Sequence, residues 1–276
     1  MEYDPIKRRL GAVFNRTPFL RKTFYFLLDL LLLRAWHVRK ELSYFKRTFT
    51  KEHISVLDAG SGFGQYSYRV SRIFRNSIIK GVDVKEEQIE DCNRFFTSLG
   101  INDKVQFEYA DLTTFNEPDR YDLVLSVDVM EHIEEDELVF RNLYSSLRNN
   151  GMLLISTPSD QGGSDTDDHN QNSVTGFIEE HVRDGYAISD ITEKLNRAGF
   201  TSVKAQYTYG KMGSFAWKLS MKYPILMLGK SKGFFIILPI YYLITFPFCA
   251  ILNSIDVWCS HKTGTGLLVK AYKNVI

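Results

Sequence analysis

A glycine-rich turn directly after a short apolar segment is the strongest chemical signal in the sequence. Residues 53–64 contain an acidic residue, Asp58, followed by glycines at alternate positions, Gly60, Gly62 and Gly64. Glycine allows the backbone to approach a ligand closely, and a helix that begins at the turn directs its first amides towards that ligand. This pattern is typical of a nucleotide-binding turn between a strand and a helix.

Two kinds of nucleotide ligand fit such a turn. A dinucleotide site expects its third glycine three positions after the second, and this chain has Gln65 there. The carboxylate of Asp58 favours a ligand with a cationic amino-acid end over a pyrophosphate. The turn by itself leaves both interpretations open.

A second acidic residue follows at the spacing of a doubly wound fold. Residues 77–84 predict a strand, and its Asp83 lies 19 residues after Gly64. In such folds an acid at this position binds two ribose hydroxyls. Residues 105–112 and 121–129 predict two further strands.

Four segments in order resemble the motifs of the class I S-adenosylmethionine-dependent methyltransferases. They are Asp58-Ala-Gly-Ser-Gly-Phe-Gly64, Gly81-Val-Asp-Val84, Ala110-Asp-Leu112 and the stretch from Asp122 to Ile133. The resemblance covers roughly residues 53–210 and a last strand near 266–273. It implies an α/β fold, a Rossmann-like doubly wound sheet of seven strands, with S-adenosyl-L-methionine as cofactor.

The resemblance also implies which residues bind the cofactor. Asp58 and the amides of the glycine turn would hold the methionine part, and Asp83 would take the ribose hydroxyls. Asp111 and Leu112 would flank the adenine. Val127 and Asp128 would line the floor under the sulfonium. The expected contacts are Asp58, Gly60, Ser61, Gly62, Gly64, Asp83, Val84, Asp111, Leu112, Val127 and Asp128.

Three residues are candidates for catalysis. A sulfonium methyl is already activated, so the protein must align the reactants, exclude water and, for a hydroxyl acceptor, supply a base. Glu131 and His132 follow the fourth strand, and His181 lies in a segment that resembles the stretch before the fifth helix of many relatives. A structural hydrogen bond or a helix cap is the alternative role for each histidine. We expect O-methylation.

The sequence predicts neither a metal centre nor a disulfide framework. The three cysteines, Cys92, Cys249 and Cys259, form no CxxC pair. His169 lies among three aspartates that could offer oxygen ligands to Mg²⁺, but a solvated acidic loop is the favoured interpretation. We expect a reducing, cytoplasmic setting, and the N-terminal residues do not resemble a secretory signal.

Charge is strongly segregated although the net charge is only +1. Residues 1–51 hold 12 Lys and Arg against 4 Asp and Glu, whereas residues 52–210 hold 14 against 28. Residues 211–232 hold five lysines and no acid. The motifs therefore lie in the acidic part, and basic segments flank it.

The basic flanks are also the apolar parts of the chain. Residues 24–33 are apolar apart from Asp29, and residues 233–252 form a run of 20 without a charge. Such a run is long enough to cross a bilayer. In the fold that the sequence resembles, the two flanking strands belong to one sheet, so the segment is expected to return as a re-entrant hairpin or to lie in the interface. We expect a broken helix at Pro239 and Pro247.

Two interpretations of the apolar segments remain, a membrane contact and a lid over the active site. Basic flanks favour an anionic membrane surface, and nucleic acid is not expected as a partner. We therefore expect a cytoplasmic methyltransferase, peripheral or monotopic at the inner face of the membrane, acting on a lipophilic small molecule. A soluble enzyme with an apolar lid, a non-catalytic protein that keeps the fold and an NAD-dependent oxidoreductase are the alternatives. The sequence does not indicate the oligomeric state.

The expected organisation has two parts. An N-terminal basic and apolar helical region covers residues 1–51, and a methyltransferase domain covers residues 52–276 with a hydrophobic helical insert at 211–262, between strands six and seven. The periodicity predicts helices over 63–75, 85–99, 135–149 and 187–198, and strands over 152–156, 201–207 and 267–272.

Overall fold

A computed structural model describes residues 17–162 and 182–273. Within these residues one sheet contains strands β1 Ile54–Ala59, β2 Ser77–Asp83, β3 Val105–Tyr109, β4 Tyr121–Val127, β5 Leu147–Pro158, β6 Ser202–Thr208 and β7 Gly266–Tyr272. Their order is β3-β2-β1-β4-β5-β7-β6. The first five strands are parallel, and β7 runs antiparallel to both of its neighbours. The predicted seven-stranded doubly wound sheet is confirmed.

Helices cover both faces of the sheet. They are α1 Pro18–Leu31, α2 Leu33–Thr48, α3 Gln65–Ile73, α4 Glu86–Ser98, α5 Asp136–Ser146 and α6 Ile188–Arg197. One apolar cluster joins α5 and α6 to the sheet, and a second joins the first four helices to the opposite face. Because β4 is covered on both sides, all of its residues are buried.

The predicted helix over 135–149 extends too far. The structure ends α5 at Ser146, and the Asn-Asn-Gly sequence that suggested a helix stop lies inside β5. Asn150 adopts a left-handed conformation with φ of 64°, and its N–H donates to the carbonyl of Lys273 at 2.8 Å. Hydrogen bonding in the sheet has therefore outweighed the local preference of this sequence for a helix end.

The N-terminal helices pack onto the sheet domain. Thr17 caps α1 by accepting from the N–H of Leu20 at 3.2 Å, and Pro18 occupies the first turn, where no N–H is needed. The apolar run over residues 24–33 is divided, because Tyr25 and Leu33 are buried while Phe26 is exposed. One side of this run thus belongs to the core.

The insert between β6 and β7 is a helical hairpin. Its first arm consists of α7 Lys211–Trp217, a π-helical turn Lys218–Lys222 and α8 Tyr223–Lys230, and its second arm is α9 Leu238–Trp258, after a 3₁₀ turn Lys232–Ile236. We call residues 211–258 the hairpin. The chain thus returns to the sheet from which it left.

The predicted break at Pro247 is wrong. Helix α9 runs through Pro247, and only Pro239, in its first turn, marks a boundary. A proline inside a helix removes one backbone hydrogen bond. Contacts with the first arm compensate, since the hydroxyls of Tyr241 and Tyr242 donate to the carbonyls of Leu219 and Ser220 at 2.7 and 2.8 Å.

A buried carboxylate fastens the hairpin to the domain. Asp256 of α9 is fully buried, and one of its oxygens lies 2.9 Å from Nε2 of His37 in α2. It also accepts the backbone N–H groups of Tyr209 and Gly213, each at 3.2 Å. His261 completes the set at 3.2 Å. Without Asp256 these groups would be buried without their acceptor.

We expect Asp256→Ala to lower the free energy of unfolding by about 3 kcal/mol, because removing this buried carboxylate leaves its hydrogen-bonding partners desolvated. Urea unfolding followed by circular dichroism measures this change. Ser254→Ala, an exposed position on the same helix, is the matched control and should change stability by less than about 0.5 kcal/mol. Equal effects of the two substitutions would contradict the anchoring role.

Candidate active site

The candidate site lies where the carboxyl ends of β1 and β4 meet. These strands are parallel neighbours, with Asp58 opposite Leu125. Gly60 follows β1 with φ of 80°, and a Cβ atom at this position would overlap the side chain of Val129 after β4. Only glycine allows the two turns to approach this closely. Their contact forms the base of a crevice at the position where nucleotides bind in this architecture.

The amides of the glycine turn are already hydrogen-bonded within the protein. Those of Gly60 and Ser61 both donate to the carbonyl of Val82 at 2.9 Å, and that of Gly64 donates to the carbonyl of Ser61 at 2.8 Å. The amide of Gly62 donates to Oδ2 of Asp83 at 2.9 Å. The turn therefore offers a close backbone surface, and not the free amides expected from the sequence.

Asp83 is held in place at the end of β2. Besides the bond from Gly62, its Oδ1 accepts the N–H of Lys85 at 3.0 Å. Each carboxylate oxygen can accept a further hydrogen bond, so Asp83 retains capacity for two ribose hydroxyls. The adjacent Val84 is exposed and can contact a base or sugar from the side.

Asp58 is a buried acid next to the turn. Only 2% of its surface is exposed, and it accepts the hydroxyl of Ser67 at 2.6 Å. Burial raises the pKa of Asp58 to about 6, against the opposing effect of the Ser67 hydrogen bonds. A cationic ligand group nearby would favour the ionised form.

The two residues expected at the adenine differ in their surroundings. Asp111 is exposed, and its Oδ1 accepts both the N–H and the hydroxyl of Thr113, at 2.8 and 2.7 Å. This carboxylate caps its own turn. Leu112 packs into the apolar core beside α5.

Polar side-chain atoms near the turn fit a polar nucleotide. Within the described chain, Oγ of Ser61 is buried without a hydrogen-bond partner. Oε1 of Gln88 lies 3.8 Å from the position that a Cβ of Gly62 would take. Together with Asp58 and Asp83, these atoms match the amino-acid and ribose ends of S-adenosylmethionine.

The end of β4 brings further charged residues to the crevice. Val127 is buried, and Asp128, with φ of 52°, forms an ion pair with Arg34 of α2. Glu131 is buried and accepts the hydroxyl of Thr157 at 3.0 Å. Burial, reinforced by the charge of Asp128, raises the pKa of Glu131 well above its ordinary range.

The histidine candidates are placed less favourably. His132 lies on a 3₁₀ turn, Met130–His132, with its side chain exposed. His181 and the acidic loop around His169 lie outside the described residues. Among the residues that are described, no cluster of three His, Cys, Asp or Glu side chains could hold a metal ion.

Sequence reasoning missed the contribution of the N-terminal helices. Arg21 of α1 is buried and donates to the carbonyl of Phe63 in the glycine turn at 2.9 Å, and the hydroxyl of Tyr25 donates to the same carbonyl. Asp29 accepts from Nε2 of Gln65 at 2.8 Å and forms an ion pair with Arg69 of α3. A single charge inside an apolar run, as at Asp29, was the available signal.

A family model described as a methyltransferase domain matches residues 50–203. Among curated relatives, (S)-coclaurine N-methyltransferase of Thalictrum flavum subsp. glaucum is 30% identical over 112 residues, 41% of this chain and 31% of that protein. Phosphoethanolamine N-methyltransferase 1 of Arabidopsis thaliana is 29% identical over 55% of this chain and 29% of its own length. Malonyl-[acyl-carrier protein] O-methyltransferase 1 of Ilyobacter polytropus is 27% identical over 44% of each chain. The chain spans less than half the length of these relatives.

Solved structures share the fold. Phosphoethanolamine N-methyltransferase 2 of Haemonchus contortus, in complex with S-adenosyl-L-methionine, superposes with a TM-score of 0.60 at 16% identity and covers 96% of this chain and 60% of that one. A putative sarcosine dimethylglycine methyltransferase of Galdieria sulphuraria gives 0.56 at 15% identity over 87% and 84%. At these identities the agreement concerns the fold alone.

We expect binding of S-adenosylhomocysteine to weaken as the pH falls through about 6, because Asp58 must be ionised to pair with the ligand ammonium. With a pKa of about 6 in the free protein, one linked proton gives about a tenfold loss of affinity between pH 7.5 and pH 5. Isothermal titration calorimetry across this range measures the change.

Asp58→Asn should remove most of this pH dependence and bind more weakly at pH 7.5, whereas the exposed Asp103→Asn should behave like the wild type. An unchanged pH profile in Asp58→Asn would show that another group is responsible.

Proposed function

The chain belongs to the methyltransferase-domain family, and from this premise we propose that it transfers a methyl group from S-adenosylmethionine to a lipophilic acceptor at a membrane surface. The observation that carries the second part is the hairpin, whose outer side is apolar and whose charged residues over 211–255 are all lysines. The curated relatives, by their names, methylate nitrogen in some cases and oxygen in others. The choice of acceptor atom must therefore be argued from the residues of the site.

Methyl transfer from an activated sulfonium needs few catalytic groups from the protein. S-adenosylmethionine supplies an activated methyl group when bound, and the chain must hold the acceptor in line and exclude water. For a hydroxyl acceptor, Glu131 is the base we favour, because it is buried beside Asp128 and its raised pKa makes the carboxylate a stronger base. His132 is the second choice because its side chain is exposed. His181 keeps its expected role as a further candidate.

The hairpin presents an apolar surface to solvent. Ile236 and Leu243 are 81% and 77% exposed, although a soluble fold normally buries side chains of this kind in its core. The exposed residues that define this surface are Ile236, Ile240, Leu243, Ile244, Phe248 and Ile251. Large contiguous apolar patches mark contacts with proteins or membranes. A lid would direct such side chains towards the active site, and this exposure favours the membrane.

Charge and topology indicate how the hairpin meets the bilayer. Residues 211–255 contain five lysines and no acidic residue, which suits an anionic leaflet. Among the described helices, α9 alone is long and apolar enough to cross a membrane. Lys218 and Lys222 lie in the middle of the other arm, and charges are costly at the bilayer centre. The hairpin also begins and ends at one sheet, so we propose that it is monotopic and lies in the interface.

The root of the hairpin lies close to the candidate site. Tyr209 joins β6 to α7, and its hydroxyl accepts the N–H of Arg34 at 3.0 Å. Arg34 pairs with Asp128 at the crevice. A docked hairpin would therefore hold the mouth of the site near the lipid, where a lipophilic acceptor partitions. The free thiols at Cys92, Cys249 and Cys259 agree with a cytoplasmic protein at the inner face.

Vesicle flotation tests the membrane contact. We expect the wild type to float with phosphatidylcholine vesicles that contain phosphatidylglycerol and to float less without that anionic lipid or at high salt. The double variant Leu243→Glu, Phe248→Glu should lose at least about tenfold in binding, because each buried side chain contributes about 1.5–3 kcal/mol.

The matched control is Ile78→Glu, Tyr109→Glu, which places the same charges at exposed apolar positions of β2 and β3. Wild-type protein that stays at the bottom of the gradient with every vesicle would refute the membrane contact.

Label transfer tests the acceptor class. With S-adenosyl-[methyl-³H]methionine and a total membrane lipid extract, we expect radioactivity in the organic phase. Asp83→Asn should lower the transfer at least about tenfold through loss of ribose binding. Label found only in water-soluble products of a cell extract would contradict a lipophilic acceptor.

A further inference from the structure

Four polar residues from separate elements meet beside the glycine turn. They are Arg34 in the first turn of α2, Tyr66 in the first turn of α3, Asp128 after β4 and Tyr209 after β6. Arg34 connects them, since its side chain pairs with Asp128 and its backbone N–H donates to the hydroxyl of Tyr209. We call Arg34, Tyr66, Asp128 and Tyr209 the polar cluster.

We infer that Arg34 and Tyr66 bind the α-carboxylate of the cofactor's amino-acid end, with Asp128 facing its ammonium group. This inference rests on the proposed use of S-adenosylmethionine and is independent of the membrane contact. It adds Arg34, from the N-terminal helical region outside the four sequence motifs, to the residues that recognise the zwitterion.

The ion pair has the charges that a zwitterion needs. The side chains of Arg34 and Asp128 are 37% and 30% exposed, so they are accessible to a ligand. The ligand would bring an anion to the guanidinium and a cation to the carboxylate, and both protein charges would keep a partner. A guanidinium can bind a carboxylate through two parallel hydrogen bonds. Nearby Asp58, already buried, would supply further negative charge for the ammonium.

Tyr66 provides an unused donor at the same place. Its hydroxyl is buried and has no hydrogen-bond partner among the described residues. Burial raises the pKa of Tyr66, while the charges of Arg34 and Asp128 act on it in opposite directions. The hydroxyl therefore keeps its proton and can donate to an anion near Arg34. Tyr66 also lies two residues after Gly64, at the helix end where the macrodipole favours negative charge.

The backbone of the polar cluster is strained. Asp128 and Tyr209 have φ of 52° and 55°, a left-handed conformation that non-glycine residues rarely adopt. Such strain persists only where the surroundings hold it, and it is concentrated at ligand sites. Asp128 pairs with the guanidinium of Arg34, and Tyr209 accepts its backbone N–H, so the two strained residues hold Arg34 at two points.

A ligand that lacks the amino-acid end separates this role from a structural one. 5′-Methylthioadenosine retains the nucleoside and thioether of S-adenosylhomocysteine but has neither carboxylate nor ammonium. Calorimetric titration of both ligands into wild type, Arg34→Gln and Tyr66→Phe gives the affinities. Arg120→Gln and Tyr68→Phe are the matched controls, at an exposed arginine and at another tyrosine of α3.

We expect Arg34→Gln to lower the affinity for S-adenosylhomocysteine about 10- to 100-fold, as for loss of a charged hydrogen bond. Tyr66→Phe should lower it about 5-fold, as for loss of a neutral hydrogen bond. Binding of 5′-methylthioadenosine should change less than about twofold, and the controls should match the wild type. If Arg34→Gln does not fold by circular dichroism, Arg34→Lys keeps the charge without the fork and should show a smaller, equally selective loss.

Equal weakening of both ligands would assign the polar cluster a purely structural role and overturn the inference. So would unchanged affinities in both variants. If the wild type binds S-adenosylhomocysteine no more tightly than 5′-methylthioadenosine, the inference is refuted, although a nucleoside site remains. Failure of the folded wild type to bind either ligand would instead refute the use of the cofactor.

Discussion

The contact between Gly60 and Val129 determines the geometry of the whole crevice. It forces the turn after β1 against the turn after β4, and no side chain fits between them. Four amides of the turn, at Gly60, Ser61, Gly62 and Gly64, donate to groups of the protein itself. This backbone is therefore held in place before any ligand binds. A ligand can approach this backbone closely, and carboxylates lie beside it. Such a site suits a cationic nucleoside better than a ligand that needs free amides.

Helix α1 and the hairpin are each attached to the rest of the domain by a buried charged side chain. Arg21 fastens α1 to the glycine turn with donations to Phe63 and to the carbonyl of Asp91 at 3.1 Å, and Asp256 fastens the hairpin to α2. In both cases the charged residue faces inward while apolar residues of the same helix face outward. Apolar surface is therefore exposed on each helix without loss of the contact that attaches the helix to the domain.

Much of the fold could be predicted from the sequence because the signals are local. Apolar strands with Asp58 and Asp83 at or next to their carboxyl ends indicate parallel strands whose carboxyl ends meet. The N-terminal contacts could not be predicted, since Asp29 and Arg69 are 40 positions apart and periodicity shows which helix face is buried but not what covers it. The continuous helix through Pro247 was missed for the same reason, because contacts with the other arm of the hairpin outweigh the lost backbone bond.

A crystal structure with S-adenosylhomocysteine would test the nucleotide site most directly. We expect the ribose hydroxyls at the carboxylate of Asp83 and the thioether between the glycine turn and the end of β4. The amino-acid end should lie between Arg34 and Asp128. A crevice that stays closed by the protein's own side chains at saturating ligand, or a nucleoside bound elsewhere, would contradict this assignment.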